Sequence, residues 1–314
     1  MFNSRRVKFG VVPPKLTTPK LTTEDREKRS AALSSLLAAV GLTAMKTIVG
    51  LLTGSLGILA EAAHSALDLV AALMTYIAVR ISGRPADRTH LYGHGKVENL
   101  SALVETLLLF ITCGWIIWEA THRLFFHKVE VEVTFWSFAV MAVSIVIDIT
   151  RSRVLARTAK KYNSQALEAD ALHFETDVWS SSVVIAGLLC VKLGEWAPSL
   201  GWLREGDAVA ALGVSALVIW VCWQLGRRTI DALVDSAPAG MEERILAAVS
   251  VVPGVKDCHN IRARYSGPML FIDLHVLVDG GQTLLEAHAL TETIEGVIQQ
   301  IVPHADVTVH PEPY

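Results

Sequence analysis

The stretch 57–81 has the sequence GILAEAAHSALDLVAALMTYIAVRI. It is long and apolar enough to cross the hydrocarbon core of a membrane, which takes roughly 20 mostly apolar residues. Two of its residues, His64 and Asp68, are unexpected at such a depth, because a charged group there costs several kcal/mol unless it is paired, coordinated or hydrated. The stretch therefore predicts a transmembrane helix that carries a functional site.

A second apolar stretch, 165–193, repeats the same spacing with His173 and Asp177. Residues four apart lie on one helical face about one turn from each other, so each pair presents an imidazole and a carboxylate together. Two such faces supply two nitrogens and two oxygens, a set that suits tetrahedral Zn²⁺, whereas Mg²⁺ prefers carboxylates and water. One pair alone is equally well explained as a hydrogen bond or ion pair between helices. Two matching pairs favour a metal site.

The composition fits a membrane domain joined to a small soluble domain. Of the 314 residues, 52% are hydrophobic and only 19% are charged, against about 25% charged in soluble domains. A net charge of −3 gives no reason to expect a nucleic-acid partner. The sequence contains no P-loop for a nucleotide and no H-E-x-x-H motif of a zinc enzyme. The four cysteines form no CxxC pair, so neither a disulfide framework nor a thiolate zinc site is predicted.

Six membrane spans are predicted, at residues 31–52, 57–81, 97–124, 135–149, 165–193 and 208–225. Lysine and arginine accumulate in the connections after spans two and four, which places those connections and both termini in the cytoplasm. Residues 1–30 lack the apolar core of a signal peptide and are predicted to be a mobile cytoplasmic tail. The membrane domain is then 31–235, in the inner (plasma) membrane, and the protein is a polytopic α-helical membrane protein.

Residues 239–314 are predicted to form a cytoplasmic α+β domain. Its expected elements are a helix at 242–252, strands at 255–265 and 269–279, a helix at 284–302 and a strand at 306–310. In the second strand Ile272, Leu274, Val276 and Val278 alternate with other side chains and form one apolar face. The order α-β-β-α-β predicts a small sandwich with both helices on one face of the sheet.

The chain resembles the cation diffusion facilitator family, most closely its bacterial zinc- and iron-efflux members. The resemblance runs from about residue 31 to the C-terminus. It rests on SLGILA at 55–60 leading into His64-x-x-x-Asp68, on YGHGK-x-E at 92–98, and on His173-x-x-x-Asp177. It implies a homodimeric divalent-cation/proton antiporter in the lipid bilayer, with six spans and a metallochaperone-like cytoplasmic domain. Such a protein is a secondary active transporter and not an enzyme.

The resemblance also implies three metal regions. The transport site is His64, Asp68, His173 and Asp177, and a loop site is Asp87, His90 and His94. A cytoplasmic cluster comprises His259, His275, His288, His310 and Glu312, where the family usually has Asp in place of Glu312. Lys96 and Asp235 match a pair that interlocks the dimer. The best-known bacterial members have Asp in place of His64, and this difference favours zinc over iron or manganese.

Proton coupling follows from the ligands, because imidazole titrates near neutral pH and metals compete with protons for the same lone pairs. We therefore expect Zn²⁺ to be exported from the cytoplasm in exchange for protons by alternating access, and also to be bound as a structural or regulatory ion. A membrane-anchored metal sensor is the alternative function, and Fe²⁺, Cd²⁺, Co²⁺ or Mn²⁺ are the alternative cargoes. Glu61 is either a partner of the site or a hydrated surface group. Asp148 is expected to form an interfacial ion pair with Arg151, and Cys258 is expected to be packed.

Overall fold

The structure is a computed structural model that describes residues 22–54, 56–125, 135–196, 206–303 and 305–314. Long helices come first: α1 (Thr23–Thr53), α2 (Leu56–Ser82), α3 (Lys96–Phe125), α4 (Phe135–Tyr162), α5 (Gln165–Trp196) and α6 (Gly206–Leu233). A small domain follows: α7 (Met241–Val249), β1 (Asp257–Ser266), β2 (Met269–Val278), α8 (Leu284–Ile301) and β3 (Asp306–Pro313).

The long helices form a bundle with an apolar exterior and a polar interior. Leu52 and Ile111 are largely exposed, whereas Thr75, Glu98 and Asn99 are fully buried. An exterior of this kind is unfavourable in water and suits a bilayer, whose interior is as apolar as these side chains. Among the described residues, three helical stretches are long and apolar enough to cross a membrane: Thr23–Thr53, Glu61–Ser82 and Lys96–Trp118.

Helix α1 begins earlier than the sequence pattern indicated. Residues 23–30, predicted as part of a mobile tail, are helical. A capping box starts the helix: the Thr22 side chain accepts a hydrogen bond from the backbone N–H of Asp25, and the Asp25 carboxylate accepts one from the backbone of Thr22. Lys28 then pairs with Glu98 of α3 at 3.1 Å. These local and tertiary contacts make the prediction wrong for 23–30, while residues 1–21 lie outside the described residues.

The connections between helices are shorter than predicted. Gly54, with φ of 65°, ends α1 in the left-handed conformation that glycine tolerates best, and α2 begins at Leu56. Residues 150–162, expected as a basic connection after span four, continue α4 as a helix. Lysine and arginine are good helix formers, so the helix extends beyond its apolar part. Only Asn163 and Ser164 separate α4 from α5.

The small domain has the predicted element order. Its sheet has the order β1-β2-β3, with β1 antiparallel and β3 parallel to β2. The predicted apolar face of β2 is buried, and it shares one hydrophobic core with residues of α7 and α8. Both helices therefore lie on the same face of the sheet, as predicted. Strand β3 extends to Pro313 because it pairs with β2 as far as Val278.

The turn between β1 and β2 packs against the start of α3. The backbone N–H of Gly267 donates a hydrogen bond of 2.9 Å to Asn99 Oδ1. A Cβ atom on Gly95 would lie 2.2 Å from the carbonyl oxygen of Ser266, so the two backbones touch without room for a side chain. Asn99 also donates to Gln165, the first residue of α5, at 2.7 Å. The small domain thus contacts the start of α3 directly, and Asn99 links this contact to α5.

Candidate metal centre

Helices α2 and α5 bring the two predicted pairs together inside the bundle. His64 Nε2 lies 3.9 Å from Asp68 Oδ1 and 3.8 Å from Asp177 Oδ1. His173 Nε2 lies 3.2 Å from Asp68 Oδ1 and 3.8 Å from Asp177 Oδ2. A tetrahedral Zn²⁺ with bonds of about 2.0–2.1 Å separates its ligand atoms by roughly 3.3 Å. Each imidazole nitrogen thus lies 3.2–3.9 Å from an oxygen of both carboxylates, near the separation that such an ion requires.

The four ligand side chains differ in exposure. Asp68, His173 and Asp177 are largely buried, whereas the His64 side chain is 45% exposed. Potential ligand atoms of His64, Asp68 and Asp177 all lie within 4.8 Å of one another. His173 closes the group from its buried side, and its other ring nitrogen, Nδ1, is buried without a hydrogen-bond partner in the described part of the chain. The site is therefore enclosed on the His173 side and open on the His64 side.

Lys46 of α1 is a charged neighbour of this site that the sequence analysis missed. Its ammonium group is buried, donates to Ser65 Oγ at 2.8 Å and lies 3.2 Å from Glu61 Oε2. Glu61 is thus paired with a buried lysine, while its own side chain is 51% exposed. The signal was available in the sequence: a lysine in the middle of the first predicted span requires a partner.

Asp148 and Arg151 form the expected ion pair, with Arg151 Nη1 3.2 Å from Asp148 Oδ1. The two side chains are 5% and 14% exposed, so the pair lies largely inside the bundle. Arg151 lies over the ring of Phe174 at 3.5 Å and donates to Ser35 of α1 at 3.1 Å. The guanidinium of Arg151 therefore contacts both α5 and α1.

The loop between α2 and α3 brings Asp87, His90 and His94 together. Asp87 carboxylate oxygens lie 3.3 Å from His90 Nδ1 and 3.5 Å from His94 Nε2. The pKa of Asp87 is lowered well below its usual range, first by the Thr89 hydroxyl and then by backbone N–H donors of His90 and Thr89. A carboxylate beside two imidazoles can bind a divalent cation. Gly93, with φ of 77°, allows the turn that brings His94 back to Asp87.

The cytoplasmic cluster is built by sheet register. His259 pairs with His275 across β1 and β2, and His275 pairs with His310 across β2 and β3, so three imidazoles stand in one row. Glu312 lies 3.3 Å from His259 Nε2, 2.8 Å from His275 Nδ1 and 3.9 Å from His310 Nε2. The hydrogen bond to His275 is the main cause that lowers the pKa of Glu312. Asn260, which the sequence analysis missed, contacts the other nitrogen of His275 at 3.2 Å.

His288 does not join this row within the chain. It lies on α8, exposed, and is 3.6 Å from Glu292 one turn further along the helix. The helix covers the apolar face of the sheet, whereas the histidine row occupies the other face, which separates the two. Cys258 is packed in the core of the small domain, as expected.

The predicted interlock residues meet within one chain. Lys96 Nζ lies 2.8 Å from Asp235 Oδ1, and Arg264 of β1 lies 3.3 Å from Asp235 Oδ2. These contacts lower the pKa of Asp235, the hydrogen bond from Lys96 being the largest cause. The guanidinium of Arg264 also lies over the ring of Tyr92 at 4.4 Å. The group joins the loop, the end of α6 and the small domain.

Comparison with known proteins identifies the family to which this architecture belongs. The family model for the cation efflux transmembrane domain matches residues 32–234, and that for the cytoplasmic domain of cation efflux proteins matches residues 237–314. The chain belongs to the cation diffusion facilitator family. It is therefore a membrane transporter for cation efflux rather than an enzyme. Its long apolar helices belong to the membrane domain.

Two similar members of the family are named cation-efflux pump FieF. The protein of Serratia proteamaculans is 32% identical over 295 residues, covering 91% of this chain and 92% of that one. The protein of Cronobacter sakazakii is 30% identical over 286 residues, covering 90% and 92%. Among solved structures, MamM-CTD 215-293 matches 24% of this chain and 95% of its own, with 28% identity and a TM-score of 0.23.

Proposed function

We propose that this protein exports Zn²⁺ from the cytoplasm in exchange for protons. His64, Asp68, His173 and Asp177 bind the ion as substrate, and alternating access exposes it to either side of the membrane. The protein acts as a homodimer with six membrane spans and with both termini in the cytoplasm, in the inner membrane.

The convergence of two imidazoles and two carboxylates inside the bundle is the observation that carries this proposal. A site of two nitrogens and two oxygens at these separations favours tetrahedral Zn²⁺ over cations that prefer oxygen ligands alone. The imidazoles must be neutral to bind metal, so binding and protonation compete at the same atoms. That competition supplies a route by which a proton gradient drives metal release.

The position of the small domain at one end of the bundle supports the proposed orientation in the membrane. The loop that follows α2, with Arg84 and Arg88, packs against β1 through Tyr92 and Arg264. Basic residues concentrate on the cytoplasmic side of membrane proteins. The basic loop and the small domain therefore support each other's assignment to the cytoplasm.

The loop site and the cytoplasmic cluster would hold further Zn²⁺ ions as bound rather than transported metal. Both lie outside the membrane part and combine imidazoles with an ionised carboxylate. These two sites alone would also suit a metal sensor. The four ligands that α2 and α5 bring together would have no role in a sensor, and they favour transport.

Flux measurements in liposomes test the proposal. We compare wild type, Asp177→Ala and Asp231→Ala with a zinc-sensitive dye and an imposed pH gradient. Asp231 lies exposed on α6, away from the ligands, and provides the same chemical change as a control. We expect proton-linked zinc flux in the wild type and the control and its loss in Asp177→Ala. Undiminished flux in Asp177→Ala would refute the assignment. A His64→Asp variant that keeps the zinc preference would refute the role of His64 in selectivity.

A further inference from the structure

Lys46 and Glu61 form an ion pair beside the four-ligand site. The Lys46 ammonium lies 3.2 Å from Glu61 Oε2 and donates a hydrogen bond of 2.8 Å to Ser65 Oγ. Ser65 directly follows the ligand His64 along α2. The ammonium therefore contacts α2 at the level of the metal site, on the part of the helix that carries two of the ligands.

Helix packing fixes Lys46 in this position. The Thr43 hydroxyl, about one turn before Lys46 on α1, donates to the backbone carbonyl of Ser65 at 2.9 Å. About one turn after it, a Cβ atom on Gly50 would lie 2.8 Å from the side chain of Leu59, so α1 and α2 touch closely there as well. The Lys46 side chain is only 6% exposed, and a buried ammonium requires an anionic partner. Lys46 is thus held both by packing and by its charge.

Glu61 lies on the same face of α2 as two of the ligands. It precedes His64 by three residues, about 4.5 Å along the helix axis, and Asp68 by seven residues, about 20° around it. The side chains of Glu61 and His64 are 51% and 45% exposed. Because an ionised side chain is costly in contact with lipid, this exposure indicates a hydrated opening that both side chains face. Residues three apart on a helix are neighbours, so the long side chain of Glu61 can reach an ion that His64 binds.

A third carboxylate would change the chemistry of the site. Two nitrogens and two oxygens suit a four-coordinate Zn²⁺, whereas each added carboxylate favours cations that prefer six oxygen ligands, such as Mn²⁺. It would also increase the negative charge around the bound ion and oppose the release of that ion. Transport of Zn²⁺ therefore requires that Glu61 stay away from the ligands.

We propose that Lys46 is a specificity-determining residue that keeps Glu61 away from the transported ion. The ammonium group occupies the Glu61 carboxylate, so the ion meets only the four ligands. Lysine suits this role because its ammonium has three donors and no acceptor, and so does not bind the metal itself. This inference rests on the proposed function and deepens it, since it names what maintains the preference for Zn²⁺ over cations that prefer oxygen.

Competition between Mn²⁺ and Zn²⁺, measured with the full-length protein in liposomes, tests this inference. The quantity measured is the Mn²⁺ concentration that halves proton-linked zinc flux, divided by the KM for Zn²⁺. In Lys46→Met we expect this ratio to fall by about tenfold or more, because a freed carboxylate is a stronger partner for metal than the outer-shell groups whose loss changes affinity by that factor. Removal of a charge near the site alters the affinity for both divalent ions alike and leaves their ratio unchanged.

The matched control is the double variant Lys46→Met/Glu61→Gln, which lacks the same ammonium group and also the carboxylate. We expect it to have the wild-type ratio, and Glu61→Gln alone should have it too, because Glu61 does not contact the ion in the wild type. An unchanged ratio in Lys46→Met would overturn the inference. A fall that persists in the double variant would do so as well, and so would a higher ratio in Glu61→Gln.

If Lys46→Met does not fold, Lys46→Gln provides the second variant. It removes the charge but keeps a donor for Ser65, and we expect the ratio to fall in the same direction; no fall would refute the role of Lys46. Failure of the proposed function itself looks different: proton-linked zinc flux would then be absent in the wild type or undiminished in Asp177→Ala.

Discussion

Lys28 and Glu98 form a buried ion pair whose removal should be costly. Lys28 Nζ lies 3.1 Å from Glu98 Oε1, and the two side chains are 3% and 0% exposed. Glu98 also accepts hydrogen bonds from Ser82 at 2.5 Å and from Ser164. One carboxylate thus joins α1, α2 and α3 to the connection before α5. We predict that Lys28→Met destabilises the protein strongly, because it leaves this carboxylate buried without a cation.

The expected magnitude follows from burial. Breaking a buried pair by removing one partner costs about 3–5 kcal/mol. At about 2 °C per kcal/mol for a large domain, the thermal midpoint should fall by roughly 6–10 °C. Glu98→Gln should cost less, because the amide oxygen keeps the hydroxyl donors and Lys28 retains Glu24 at 3.2 Å. The double variant should recover part of the loss that Lys28→Met causes.

Thermal unfolding in detergent, followed by intrinsic fluorescence, measures these differences. The matched control is Lys161→Met. Lys161 pairs with Glu27 at 2.6 Å and also ties another helix to α1, but both side chains are about half exposed. Exposed pairs contribute little, so we expect no measurable shift. Equal shifts of the thermal midpoint for the buried and the exposed pair would refute the argument from burial. An unchanged midpoint in Lys28→Met would refute it as well.

Three further predictions concern the small domain. Gly95→Ala should lower the thermal midpoint because its Cβ would collide with the turn between β1 and β2, and an unchanged midpoint would contradict the close contact. Gly296→Ala is the control: its Cβ meets open space within α8, so this change should raise stability by about 0.5–1 kcal/mol. His275→Ala should weaken zinc binding at the cytoplasmic cluster by about tenfold or more, since loss of even an outer-shell partner reduces metal affinity by that factor. Calorimetry should show unchanged zinc binding for His288→Ala, and equal losses of affinity would show that His288 belongs to the cluster. The pKa of Glu312 is lowered from 4.5, so its contacts stabilise the fold above that pH, and this stabilisation is lost as the pH falls through the lowered pKa. Glu312→Gln should therefore flatten the acid side of a plot of thermal midpoint against pH, and an unchanged profile would exclude this carboxylate as the cause.

Local periodicity was enough to predict much of this protein. The i,i+4 spacing of His64 with Asp68 and of His173 with Asp177 predicted two ligand-bearing helices, and the structure brings the four side chains together. The alternation around Leu274 likewise predicted the buried face of β2. These patterns are encoded within a few residues, because a helix repeats every 3.6 residues and a strand every two.

Other features depend on contacts between distant positions, which no local pattern records. Lys46 lies beside the metal site because α1 packs on α2. The parallel pairing of β3 with β2 puts His310 next to His275, while α8 carries His288 to the other face of the sheet. Packing and strand register decide these relations, since the same side chains could be paired, buried or separated by a different arrangement of the same helices and strands.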